Sequence, residues 1–187
     1  MLAAGRSTRM GRAKGLLDAG GVSFLRRCVE SLRGGGCDPV VVVVDASDGA
    51  QGAEAADAGA TVVEGESGAE QVESIRRGLE ALPAAARAAA VLPVDHPLVR
   101  PDTVAALLTA WRGSPGAIVR PVHEGVPGHP TVFPRGVWRW LVPGLARGAR
   151  SVVEDGDRPR LDLPVSDEGI VADIDTPAAY ARWIGAR

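Results

Sequence analysis

Apolar residues fall into two alternating rhythms over most of the chain. Phe24, Leu25, Cys28, Val29 and Leu32 recur at helical spacing, and the glycines at 34–36 end that run. Val40, Val41, Val42, Val43 and Val44 follow without any polar alternation, as in a strand buried on both faces of a parallel sheet. Residues 45–49 read as a turn, 51–58 as a short helix and 60–63 as a second strand. Val72, Ile75, Leu79 and Leu82 mark one helical face over 70–82, closed by Pro83. A third buried strand is predicted at 88–94, then a helix at 101–111 with Pro101 in its first turn. Strands are predicted at 117–119, 131–133, 161–163 and 170–174, the second beside the first. Residues 136–145 read as partly helical and 177–184 as a final helix.

Strands alternating with helices over the first two thirds predict an α/β sheet built by right-handed crossovers. No repeat or linker divides the 187 residues, so a single domain over 1–187 is expected. Sheets of this kind bind ligands beyond the carboxyl ends of their strands. The glycine-rich stretch at the start should follow a first strand, yet only Met1 and Leu2 precede it. The expectation is a first strand truncated at the N-terminus, with an upstream segment of about 5–6 residues.

Charge changes this picture locally. The chain nets −2, but Arg6, Arg9, Arg12 and Lys14 place four cations before the first acid, Asp18. They lie among Leu2, Ala3, Ala4, Gly5, Ser7, Thr8 and Gly11, whose small side chains let backbone N–H groups crowd an anion. Arginine forks match phosphate oxygens and lysine adds a mobile point charge, so the segment suits a polyphosphate. Neither Walker A nor the G-x-G-x-x-G spacing is present. A basic patch on an acidic chain favours a small anion over a nucleic acid, and 4% aromatics leave no stacking platform. Cys28 and Cys37 lack metal-ligand spacing and read as free thiols. No apolar run spans a bilayer and no signal-peptide pattern occurs, which predicts a cytoplasmic protein without a membrane partner.

Further chemistry lies downstream. Asp95, in Pro93-Val94-Asp95-His96-Pro97, follows a buried strand, where a carboxylate can hold Mg²⁺ against phosphates or simply form a turn. His96 could contact substrate, but reads more simply as a turn residue. Asp173 and Asp175 flank Ile174 and would project together from an extended segment. They suit a metal, while Thr176 suits the cap of the helix that Pro177 opens. His129 stands at the tip of a Gly-His-Pro turn, with structural and acid–base readings both open. Ser74 is either an exposed helical serine or a contact for a base or ribose.

Taken together, these segments resemble the MobA/MocA-like nucleotidyltransferases. The resemblance lies in Leu2-Ala3-Ala4-Gly5-x-Ser7-x-Arg9-Met10-Gly11-x-x-Lys14, Ser74-Ile75-Arg76-x-Gly78-Leu79, Asp95-His96-Pro97, Gly128-His129-Pro130-x-x-Phe133 and Asp173-Ile174-Asp175-Thr176-Pro177. Ala4, Asp173 and Asp175 resemble the molybdenum cofactor cytidylyltransferase branch; guanylyl relatives usually carry glycine and asparagines there. His96 departs from that branch's usual glutamine, and Gly15 from its usual alanine.

The resemblance implies a three-layer, Rossmann-like fold of the nucleotide-diphospho-sugar transferase (GT-A-like) kind, with a mostly parallel sheet. It implies transfer of a nucleotide monophosphate, CMP from CTP being favoured, to a phosphorylated acceptor such as molybdopterin, with release of pyrophosphate. Leu2, Ala3, Ala4, Gly5, Arg6, Ser7, Ser74 and Gly78 would bind the nucleotide. Arg9, Lys14 and Asp95 would be catalytic; Asp95, Asp173 and Asp175 would hold Mg²⁺; His129 would place the acceptor. A molybdenum hydroxylase is an implied recipient of the product. Rival readings are a transferase for another small phosphorylated acceptor, a non-catalytic cofactor-delivery protein, and a redox relative labelled nicotine blue oxidoreductase.

Overall fold

The computed structural model describes residues 1–4 and 13–185. Glycine-loop residues Gly5, Arg6, Ser7 and Arg9 lie outside the described residues. Among the described residues are six α-helices and seven strands, which alternate in the first part: α1 Phe24–Gly34, β1 Val41–Asp45, α2 Gly49–Asp57, β2 Thr61–Gly65, α3 Gln71–Glu80 and β3 Ala88–Val91. The second part has α4 Pro101–Gly113, β4 Ile118–His123, β5 Val126–Pro127, β6 Thr131–Pro134, α5 Ala149–Val153, β7 Arg160–Pro164 and α6 Pro177–Trp183. A 3₁₀ turn, Lys14–Leu16, precedes α1, and two more span Arg135–Trp140 and Glu168–Val171.

β1 and β2 pair in parallel from Val41↔Thr61 to Asp45↔Gly65. β3, β6 and β4 pair antiparallel in that order, and β7 runs parallel to β4. Leu2 joins the two groups by bridging Val43 and Pro93, both in parallel sense. Its N–H donates to Leu92 O at 3.0 Å, and its carbonyl accepts from Val94 N at 2.9 Å. Below this splice, between β1 and β3, an apolar cavity of about 300 Å³ is lined by Val41, Val43, Ala88, Ala90 and Leu79.

Helical layers cover both faces of the β1 valines. Val40, Val42 and Val44 join a buried cluster with Phe24, Leu25 and Val29 of α1, Val104 of α4 and Ile170. On the opposite face, Val43 meets α3. A Cβ added at Gly78 would come within 3.1 Å of Val43 Cγ2, so glycine lets helix and strand approach closely. A second cluster gathers Val72, Ile75 and Leu79 of α3 with Val91, Phe133, Leu141 and Val152. That double coverage explains why the valine run shows no alternation.

Helix boundaries follow from caps. Ser23 accepts from Arg26 N, Asp48 from Gln51 N and Thr176 from Ala179 N. Thr176 therefore caps α6, and Pro177 begins it, as expected. The predicted strand at 170–174 does not form. A 3₁₀ turn covers Glu168–Val171 instead, and the backbone beyond it serves neighbouring loops: Ile170 O accepts from His129 N at 3.0 Å, and Ile174 N donates to Asp95 O at 2.9 Å. Its period-two burial nevertheless holds, since Ile170, Ala172 and Ile174 are buried. The alternation reflected burial on one side, not membership of a ladder. No helix among the described residues is long and apolar enough to cross a membrane.

Candidate active site

The site lies where Leu2 ends its passage between β1 and the continuation of β3. Residues beyond that splice leave the sheet at its carboxyl edge. Pro93 is still bridged to Leu2, and Asp95 follows two residues later, free of the ladder. Lys14 opens the 3₁₀ turn that returns toward α1. Its Nζ meets Asp95 Oδ2 at 3.1 Å, with both side chains about one-fifth exposed. Cation and carboxylate, 81 positions apart in sequence, thus face each other across one cleft.

Three loops lock together around Asp95. Gly169 packs so closely on the 96–99 turn that an added Cβ would lie 2.2 Å from Leu98 O; one at Gly128 would lie 2.2 Å from Ile170 O. Any side chain at either position would collide with backbone. Asp167 fixes the far end of the assembly: its buried carboxylate accepts from Arg100 N at 2.9 Å, Thr103 Oγ1 at 2.7 Å and Gly169 N at 3.0 Å. The start of α4 is thereby tied to the segment that carries Asp173.

Asp95, His96 and Asp173 each offer a ligand atom, and these atoms lie within 4.8 Å of one another. Asp95 Oδ1, His96 Nδ1 and His129 Nδ1 are all buried without a hydrogen-bond partner among the described residues. The His96 and His129 rings stand 4.8 Å apart. Buried polar atoms are nearly always paired, so three orphans side by side fit a divalent metal and an anionic ligand. Burial holds the His96 imidazole below its usual pKa, against the pull of Asp95 and Asp173. Burial, aided by His96, lowers His129 to about 4. Both rings are neutral near pH 7 and keep a lone pair for a metal or a proton. Asp173 is exposed as a residue, but partial enclosure of its carboxyl, and then the charge of Asp95, raise its pKa.

Two cavities share Leu2, Gln71 and Pro93 as a common wall. One, of about 170 Å³, is lined by Ala3, Ala4, Lys14, Ser74 and Asp95. The other, of about 390 Å³, has Ile75 and Phe133 among its apolar residues, His129 beside them, and the guanidinium side chains of Arg120, Arg147 and Arg150. The arrangement can seat two anionic molecules side by side, one against Lys14 and Asp95 and the other against His129 and the arginines.

Of the predicted site residues, Leu2, Ala3, Ala4, Lys14, Ser74 and Asp95 meet in one cavity. His129 lines the adjoining one, and Asp173 joins Asp95 and His96 in the trio of possible metal ligands. Asp175 is not part of that trio. Gly78 stands apart, against Val43 in the body of the sheet. His96, read from sequence as a turn residue, is 7% exposed at the centre of the cluster. Its signal was position: it directly follows the carboxylate at a strand's carboxyl end. Arg147 and Arg150 carried no local pattern that marked them.

Comparison with known proteins agrees with this geometry. The model of the MobA-like NTP transferase domain matches residues 1–161. A probable molybdenum cofactor guanylyltransferase of Opitutus terrae is 33% identical over 153 residues, covering 81% of this chain and 73% of that protein. Rv0371c of Mycobacterium tuberculosis superposes with a TM-score of 0.84 at 28% identity, over 98% of this chain and 95% of that one. Its complex with manganese gives the same TM-score at 27% identity, over 100% and 96%.

Proposed function

Because the chain belongs to the family of MobA-like NTP transferase domains, and is a nucleotidyltransferase of Rossmann-like fold, we propose that it transfers a nucleotide monophosphate to a phosphorylated acceptor of the molybdenum cofactor type. The observation that carries this reading is the meeting of Lys14, Asp95, His96 and Asp173, with Lys14 and Asp95 lining the smaller of two adjoining cavities.

In this reading the nucleoside lies against Ala3, Ala4 and Ser74, with its phosphates toward Lys14 and the glycine loop of Gly5, Arg6, Ser7 and Arg9. Asp95 and Asp173, with His96, would hold a divalent metal, magnesium or manganese, which supplies positive charge to the phosphates. Asp175 stands nearby as an alternative carboxylate. The acceptor lies in the larger cavity, its phosphate directed past His129 toward the nucleotide's α-phosphate. An acceptor phosphate is already ionised, so no general base is needed, and rate comes from alignment and charge stabilisation. Lys14 leaves Asp95 and neutralises the α-phosphate as pyrophosphate departs. Neutral His129 orients the acceptor by a hydrogen bond without adding charge.

For the nucleotide, Ala4, Asp173 and Asp175 favour CTP, and the guanylyltransferase relative favours GTP. Pyrophosphate release is measured with each triphosphate, with Mg²⁺ or Mn²⁺, and with or without isolated molybdenum cofactor. Release with one triphosphate that requires the acceptor is expected. Tight nucleotide binding without release would instead support a cofactor-delivery protein.

A further inference from the structure

Gln51 is 2% exposed, although it stands in the first turn of α2 and carries an amide. Its Oε1 accepts from Gly15 N at 3.1 Å. Its Nε2 donates to Ala3 O at 3.2 Å and to Asp48 Oδ2 at 2.8 Å. The orientation of the amide is forced, because Gly15 N–H can only donate and Ala3 O can only accept. A glutamine three residues after an N-cap aspartate commonly reaches back to the cap's own N–H. Here that N–H is taken by Asp45 O, and the amide turns outward to two segments 36 and 48 positions away.

Those segments are the ones that carry the nucleotide site. Ala3 lines the smaller cavity, and Gly15 follows Lys14, whose ammonium meets Asp95. Gly15 leaves no spare room: a Cβ there would lie 2.2 Å from Gln51 Oε1. We propose that Gln51 is a positioning residue for nucleotidyl transfer, its amide fixing Lys14 and the Ala3 carbonyl in one register across the cleft. The proposal rests on the nucleotide reading of that cleft. Gln51 touches no reacting atom and acts through Lys14.

Acting through Lys14 has a measurable signature. Wild type, Lys14→Ala, Gln51→Ala and the double variant are titrated calorimetrically with CTP and with GTP in the presence of Mn²⁺, beside thermal melts. Each single change is expected to raise the nucleotide Kd about tenfold, and the double variant should lose no more than about tenfold in total, because coupled residues are non-additive. A merely structural glutamine would lower the melting temperature and leave the Kd of folded protein unchanged, or give independent losses that multiply to about a hundredfold. Either result overturns the proposal. Gln51→Glu provides a second route should Gln51→Ala not fold. It keeps the size and the acceptor for Gly15, but turns a carboxylate toward Ala3 O and Asp48. It should weaken binding as Gln51→Ala does, and wild-type affinity in Gln51→Glu would also overturn the proposal. A wild-type protein that binds neither nucleotide defeats the nucleotide reading itself, and with it this inference.

Discussion

Among the described residues, 1–65 meet the cleft with backbone held between parallel strands and with Lys14 on a 3₁₀ turn, whereas 118–174 bring polar groups to it on turns and loops. In the first region hydrogen bonds do the placing: Leu2 is bridged to Val43 and to Pro93, and the turn that carries Lys14 is held at Gly15 N by Gln51 Oε1. In the second, loop-to-loop contacts place His129 and Asp173, through the tight approaches of Gly128 to Ile170 and Gly169 to Leu98. The first design fixes positions by hydrogen bonds alongside the strands, the second by loop-to-loop hydrogen bonds and close steric fit against backbone. Changes in the first region should therefore disturb the nucleotide, and changes in the second should disturb the acceptor through His129 and the arginines and the metal through Asp173.

The sharpest break comes at Asp95, where the two regions meet. Asp95→Ala removes the carboxylate that faces Lys14 and His96 and should lower pyrophosphate release by about a thousandfold or more. Near-normal release would remove it from the chemistry. Lys14→Ala tests the first region alone. Single-turnover release should slow about a hundredfold, more than nucleotide binding weakens.

The second region is probed by replacing both Arg147 and Arg150 with alanine. Each ion-pairs with Glu154 beside the larger cavity. The pair of substitutions should raise the acceptor KM about tenfold while nucleotide Kd stays constant. Equal effects on both substrates would erase the division between regions. The smallest effect belongs to Thr176→Ala, which deletes the cap of α6 outside both cavities. It should cost about 1 kcal/mol in chemical denaturation and leave kinetics intact.

The same division explains what was legible in the sequence. Helix α1 and strand β1 announced themselves because amphipathic spacing and an unbroken valine run are local signals. Asp95 was legible because it follows such a strand. Asp173 was found, but on a strand that the structure replaces by a 3₁₀ turn and an irregular crossing, since its backbone bonds go to His129 and Asp95. Two-residue β5 and five-residue α5 are too short for any periodicity to declare them. His96 and Gln51 were under-read for one reason: each passes for an ordinary local residue, a turn histidine or one position of a short helix. Their importance lies in partners dozens of positions away, a distance that no window along the chain covers.

Binding of Mn²⁺ tests most directly whether Asp95, where the regions meet, and Asp173 of the second region form one metal–nucleotide centre. Electron paramagnetic resonance would follow free Mn²⁺ during titration of wild type, Asp95→Asn and Asp173→Asn, each with CTP and with GTP. One tight equivalent that depends on nucleotide in wild type, and is lost in both variants, is the predicted result. Full retention of that equivalent when either carboxylate is replaced would contradict it.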